Sequence, residues 1–382
     1  MSNRVAIIGY AQSHHQFDVQ KTREEMVFEV AKAALANAGI LREEIGTVVT
    51  SSTDFLDGRT ISNVFLSMAV GAFLKDESKV EEDGTNALQY AMMKLITGTY
   101  DVAVVEAHTV GWQFNPHQVS AYTVDPLVER QFNLINDVSA GAIQAKMYME
   151  KYGATEEDLA AVSVKNLGNA AANEFAARRL PDISTAEVLN SKLYYDPLRE
   201  LMLSFVADGC AMLILATEEK VKKLGCCCPV WIEGVGNCQD AYLRDRNLLS
   251  LDSLKKAAAS AYAMAGIKNP LTDLDMAEVS ERCAHEELMI YEGLGLARDG
   301  KGKELLKNGV TEICGEFPVN PSGGALGADP ICATGLIRVL ECVRQIRGEA
   351  DRHQVPGVKR ALAHGQFGIA AQKNTVVILG GE

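Results

Sequence analysis

The chain has 382 residues, 47% of them hydrophobic and 23% charged, enough apolar side chain for two domains of ordinary size and too much for disorder. Its net charge of -13 excludes the basic footprint of a nucleic-acid binder, so an anionic ligand needs a local cluster of cations. No apolar run approaches the ~18 residues that span a bilayer, MSNRVAIIGYAQ lacks the regions of a signal peptide, and nine cysteines form an odd set without C-x-x-C spacing, which together predict a cytoplasmic protein with reduced thiols.

Residues 5–8 form a short apolar run, and Met26, Val27, Val30, Ala31, Ala34, Leu35 and Ala38 recur at helical spacing until Gly39 stops the helix. A strand at 47–50 completes a β, α, β order, as in a parallel sheet. A helix over 84–98 precedes a strand at 102–105. Residues 112–202 read as a mostly helical, polar insertion, broken at Asp125-Pro126, Pro181-Asp182 and Asp196-Pro197. The apolar segment 207–217 is a buried strand that returns to the first half, and a basic helix at 218–224 closes it. Cys226, Cys227 and Cys228 are adjacent in a short loop, where they cannot all converge on one metal, and read as free thiols in a linker.

The opening pattern returns 227 residues later. Ala31, Ala34, Ala38, Gly39 and Ile40 correspond to Ala258, Ala261, Ala265, Gly266 and Ile267, with apolar strands at 230–232 and 276–279 on either side. The helix and strand at 84–98 and 102–105 likewise correspond to 335–348 and 359–363. Two copies of one α/β unit follow from this recurrence.

Three segments carry a family resemblance: NPSGGALGADPICATGL (320–336), ADGCAMLILATEEKVKKLG (207–225) and AEVSERCAHEELMIYEGLGL (277–296). Through them the chain resembles the thiolase superfamily over essentially its whole length, nearest to the short sterol-carrier-protein-like and archaeal branch. The resemblance implies an α/β thiolase fold: duplicated βαβαβαββ halves in a five-layer αβαβα arrangement with a mostly helical loop domain. The halves would be 1–111 plus 203–225, and 226–382, with the loop domain at 112–202. It further implies a coenzyme A thioester as substrate, with CoA as substrate or product rather than a permanently bound cofactor, and no metal. It also implies a homodimer through the N-terminal halves, and a small partner subunit with a zinc ribbon and an oligonucleotide-fold domain. The implied activity is thiolysis of a β-ketoacyl-CoA with acyl transfer to CoA. A retro-aldolase acting on a β-hydroxyacyl-CoA, or a non-catalytic CoA-binding subunit, is the alternative.

Thiolase chemistry needs a thiolate at a helix N-terminus, a base to activate it and donors for developing oxyanions. Matching the helix at 84–98 to the family's nucleophile helix puts Glu81 at the cysteine's position; an alternative register puts Gly84 there, and neither supplies a thiol. Glu81 is then a candidate general base, although carboxylates in a first helical turn are favoured by the dipole in any case. Ser280 stands where His or Asn would hold a water, Asp329 where the His of a G-H-P motif would be, and His364 matches a family histidine. His364 is accordingly the candidate acid or base, with Glu81 and Asp329 raising its pKa. Cys283 and Cys332 are candidate substitute thiols, against the bland reading that buried cysteine is a small hydrophobe; Cys314 reads as core. Ser322, Gly323, Gly324 and Gly327 form the candidate CoA thiol-end site, because glycines let backbone N–H groups approach a ligand, although they also serve plain turns.

Overall fold

The computed structural model describes residues 4–110, 115–132 and 134–381. In the first half, β1 (Val5–Gln12) leads to α1 (Arg23–Ala38), which starts on a reciprocal Thr22–Glu25 capping box and ends where Gly39 takes the left-handed conformation at φ 65°. β2 (Thr47–Ser51), β3 (Asp76–Val80), α2 (Gly84–Ile96) and β4 (Val102–Thr109) follow. Next come the helices α3 (Pro116–Ser120), α4 (Asp137–Tyr152) and α5 (Glu156–Ala170), with a small hairpin of β5 (Leu193–Tyr195) and β6 (Leu198–Arg199). β7 (Gly209–Thr217) returns to the sheet. The second half contains β8 (Val230–Gln239), α6 (Asp252–Ala265), β9 (Met276–Glu278), α7 (Ala284–Gly293), α8 (Thr334–Arg347), β10 (Arg360–Phe367) and β11 (Lys373–Gly380).

Nine strands form one sheet in the order β3-β2-β4-β7-β1-β8-β11-β10-β9. The order is symmetric about the contact between β1 and β8, apart from β3, which has no counterpart beyond β9. β1, β7, β4 and β2 run antiparallel, antiparallel and parallel, and β8, β11, β10 and β9 repeat that sequence. The halves meet in an antiparallel contact that pairs Ala6 with Trp231 and Ile7 with Val230. The recurrence over 227 residues is therefore a structural duplication.

Alternation along each strand builds the layers. On β7, Cys210, Met212, Ile214 and Ala216 face the core under α1, whereas Ala211, Leu213 and Leu215 face the core that holds α2 and α8. On β11, Val377 and Leu379 join that same central core, while Val376 and Ile378 face α6. The layers thus run α1, first-half strands, α2 with α8, second-half strands, α6, the five-layer αβαβα arrangement. α6 lies so close to β8 that a Cβ on Gly236 would sit 1.9 Å from the Ala257 carbonyl oxygen, which is why a small-residue helix faces a glycine-bearing strand here.

Two features depart from the sequence reading. β3, DESKV, carries three charges and lies half exposed at the sheet's edge, so it has no apolar run to announce it. Cys314 is exposed in a turn rather than in the core, because 309–315 folds back on itself through Gly309 and Gly315. Among the described residues no helix is long and apolar enough to cross a membrane.

Candidate functional site

A cavity of about 270 Å³ opens where the two halves meet the helices of 116–170. Phe55, Leu56, Val119, Ile331, Phe367 and Ile369 make its wall largely apolar, and Glu81, His117, Asp137, Ser204, Arg282 and Asp329 are among its polar groups, with the hydroxyls of Thr53, Ser120, Tyr122 and Thr123. An apolar cleft with a few converging polar groups is what a small-molecule site looks like.

His117 and Asp137 come from two adjoining helix starts. Asn115 caps α3 by accepting from the His117 and Gln118 N–H groups, and Pro116 takes the first helical position, where its missing N–H costs nothing. Asn136 caps α4 in a box with Ser139, which puts Asp137 at its first position. There the Asp137 carboxylate lies 3.1 Å from His117 Nδ1 and accepts from Ser120 Oγ at 2.7 Å. Burial disfavours the His117 cation, but the hydrogen bond and charge of Asp137, with the more distant Asp329, outweigh it and raise the pKa. Burial works the same way against the Asp137 anion, and His117 and Ser120 reverse it, leaving the carboxyl below its usual value. His117 Nε2 makes no hydrogen bond among the described residues.

Asp329 enters the cavity with both oxygens held, Oδ2 by Ser204 Oγ and Oδ1 by Thr334 Oγ1, each at 2.6 Å. Arg282 is partly accessible beside the Phe367 ring, 5.8 Å from its centroid, and no described carboxylate oxygen lies within 4.0 Å of it. Burial opposes its charge, yet Asp329, Asp137, Glu286 and Asp83 around it keep the guanidinium firmly protonated. Glu81 stands at the rim with its side chain about half exposed (49%) and pairs with Lys79 at 2.8 Å. Asp83, two residues on, is the residue the fold buries: it caps α2 through Thr85 and accepts from the Gly335 N–H at the start of α8, and burial raises it to about 6.

Of the residues singled out by sequence, Glu81 and Asp329 share this cavity; the others do not line it. His364 is wholly buried, with Nε2 2.9 Å from Asn374 Oδ1 and Nδ1 accepting from the Ser280 N–H at 3.4 Å. The expected raising of its pKa by Glu81 and Asp329 is corrected: burial dominates and pushes it down to about 4. Ser280 spends its hydroxyl on the His364 carbonyl at 2.9 Å. Cys283 stands at the N-cap of α7 and Cys332 two residues before α8, but both are buried, and burial pushes their thiols well up, against the thiolate a nucleophile needs.

The glycine-rich segment is held by hydrogen bonds and close packing within the protein. Ser322 donates its N–H and its hydroxyl to Glu278, the Leu326 N–H goes to Glu281, and Arg338 closes an ion pair with Glu278 at 2.7 Å. A Cβ on Gly323 would lie 2.4 Å from that of Ala170 on α5, and one on Gly324 would meet the Glu281 carboxylate at 2.2 Å. Ser322, Gly323, Gly324 and Gly327 therefore dock the second half against α5, and their backbone reaches the cavity only through Asp329 beyond them. His117, Asp137 and Arg282 were missed. The signal for the first two was the pair of caps, N-P-H and N-D-x-S; Arg282 lay unremarked inside AEVSERCAHEELMIYEGLGL.

Comparison with known proteins agrees with this architecture. Residues 234–381 match the family model described as thiolase C-terminal domain-like. The chain is 30% identical over 372 residues to an acetyl-CoA acetyltransferase of Methanothermobacter thermautotrophicus, covering 94% of this chain and 95% of that one. It is 34% identical over 237 residues to the benzoylsuccinyl-CoA thiolase subunit BbsB of Thauera aromatica, covering 61% of each. In structure it resembles an Ltp2-ChsH2(DUF35) aldolase with a TM-score of 0.85 at 24% identity, covering 99% of this chain and 98% of that one.

Proposed function

The chain belongs to the thiolase superfamily, and from that premise we propose that it is an enzyme that breaks or forms a carbon–carbon bond of a CoA thioester in the cavity between its halves. One observation carries the reading: among the described residues, the cavity wall holds a guanidinium, carboxylates and an imidazole, and no cysteine. Thiolysis proceeds through an acyl group on a protein nucleophile. A retro-aldol step on a β-hydroxyacyl-CoA needs only a base, an acid and a donor to the enolate oxygen. The wall therefore favours retro-aldol cleavage over thiolysis of a β-ketoacyl-CoA. The thiol end of CoA then lies beside Asp329, not against the packed backbone of 323–327. The similar proteins support a CoA thioester substrate through their names, and one of them is named an aldolase.

Two assembly expectations belong to the same reading. The exposed edge of β3, with the exposed Phe65 and Met68 in the segment that precedes it, favours a homodimer through the first half. The two-component name of the Ltp2-ChsH2(DUF35) aldolase supports a partner subunit, for which the zinc-ribbon, oligonucleotide-fold protein remains the proposal. The test is to co-purify the full chain with its native partner and offer it β-hydroxyacyl-CoA alone or β-ketoacyl-CoA with free CoA, following products by mass spectrometry. Release of an aldehyde or ketone with the shortened acyl-CoA, retained in a Cys283→Ala, Cys332→Ala double variant, is expected. Thiolysis that disappears in that variant would restore the thiol mechanism.

A further inference from the structure

We infer that His117, oriented by Asp137, is the general base of this site and that Arg282 is the donor to the enolate oxygen. Neither role depends on the positions that carry the family resemblance in thiol chemistry. The inference rests on the retro-aldol reading above. It begins from what each group lacks. His117 has Nδ1 engaged by Asp137 and nothing on Nε2 among the described residues, on the wall of a largely apolar cavity. Arg282 is a guanidinium on that wall with no described carboxylate oxygen within 4.0 Å. An imidazole oriented through one nitrogen by a carboxylate, with the other nitrogen open to a cavity, is the arrangement that holds a base in its productive tautomer. A charged donor kept short of pairing is available to an oxygen that becomes negative only during the reaction.

The step balances without any further reactant. His117 Nε2 takes the proton of the substrate's β-hydroxyl as that carbon becomes a carbonyl and the Cα–Cβ bond breaks. The electron pair passes into the thioester enolate, whose oxygen accepts from Arg282. The proton on Nε2 is then delivered to Cα, giving the shortened acyl-CoA with no net change of proton count or oxidation state. Asp137 is a positioning residue: it fixes the imidazole and, itself fixed by Ser120, transmits charge to it. The charged groups facing His117 are Asp137 on α4, Asp329 after the glycine-rich segment, Arg282 before α7 and Glu81 before α2.

The experiment uses the full chain in complex with its partner, and a panel of thioesters from 3-hydroxybutyryl-CoA to 3-hydroxy-3-phenylpropionyl-CoA, the latter releasing benzaldehyde. His117→Asn should lower kcat by ~10²- to 10⁴-fold with KM nearly unchanged, and Arg282→Gln by ~10²- to 10³-fold. Asp137→Asn should lower kcat, because the imidazole loses the group that orients it, and move the acidic limb of kcat/KM for the remaining activity to lower pH, because the carboxylate that raises the His117 pKa is gone. A purely structural role would not move that limb. Active wild-type protein with His117→Asn within about threefold of it, or with an unmoved limb in Asp137→Asn, overturns the inference alone. Wild-type protein that leaves the whole panel intact overturns the retro-aldol reading and the inference with it. Melting temperatures of the variants separate catalysis from folding, and if His117→Asn fails to fold, a folded His117→Gln with near wild-type activity overturns the inference.

Discussion

His364 shows how a residue in a matched motif is turned to structure by its surroundings. Both its ring nitrogens are committed, to Asn374 and to the Ser280 N–H, and burial holds it neutral at a pKa of about 4. His364→Ala leaves Asn374 Oδ1 and the Ser280 N–H without that partner, a loss of ~2–4 kcal/mol for two buried polar groups. Denaturant unfolding should therefore register the substitution as a lower midpoint, and the folded fraction of the variant should keep turning substrate over at close to the wild-type rate. A collapse of kcat without loss of stability would return His364 to the catalytic role that its place in AHGQFG implied. His117 is the opposite case, unremarkable in sequence, and its Nε2 makes no hydrogen bond among the described residues.

At the scale of elements, the starts of α2 and α8 converge on one carboxylate. Asp83 caps α2 and also accepts from Gly335 N–H at 2.8 Å, so two helix N-termini, one from each half, share a single anion. The glycines beside it leave room for the carboxylate: a Cβ on Gly335 would stand 2.0 Å from Asp83 Oδ1, and one on Gly365 would stand 2.3 Å from it. Gly335→Ala should thus displace Asp83 and cost ~1–3 kcal/mol by overpacking, read as a lower melting temperature. It should also loosen the junction behind Glu81 and Ile331, so KM is expected to rise more than kcat falls. An unchanged melting temperature would mean that the carboxylate has room to move.

For the whole molecule, buried titratable groups set an alkaline limit. His108 is held between Asp57 at 3.3 Å and Glu106 at 2.9 Å; burial opposes its charge, but the two carboxylates raise it to about 9. Its contribution to stability is complete below the ordinary value of 6.5 and is lost as pH rises through 9. Glu281, raised to about 8 by burial and by Glu287, acts in the same direction, since its proton is held in the folded state and lost as pH rises. Thermal unfolding should accordingly show stability falling between pH 7 and 9, and His108→Gln should flatten that slope. A profile that is level over the range would contradict both assignments. The exposed first-half edge gives a second expectation: Met68, 67% exposed near β3, when changed to Glu should shift sedimentation toward the monomer, whereas Met264→Glu on the far layer should not.

The duplication was legible in the sequence because it is written in local chemistry. The small-residue faces of α1 and α6, the glycines that end them and the apolar strands beside them recur at one spacing, and each states its own conformation. β3 was not legible, because an edge strand with charged residues carries no apolar signal, and neither was the exposure of Cys314. The site divides along the same line. Asp329 was found through its place in a matched segment and Glu81 through the register of the helix at 84–98, and both reach the cavity. Which other groups face it was decided by tertiary structure, since His117, Asp137 and Arg282 lie on three separate segments and acquire their meaning only from mutual distance and partial burial. Burial also decided what the remaining candidates became: it made Cys283 and Cys332 protonated hydrophobes, His364 a neutral strut and the glycine-rich segment a docking surface, because the cost of charge and of unpaired polar groups depends on the solvent each is denied.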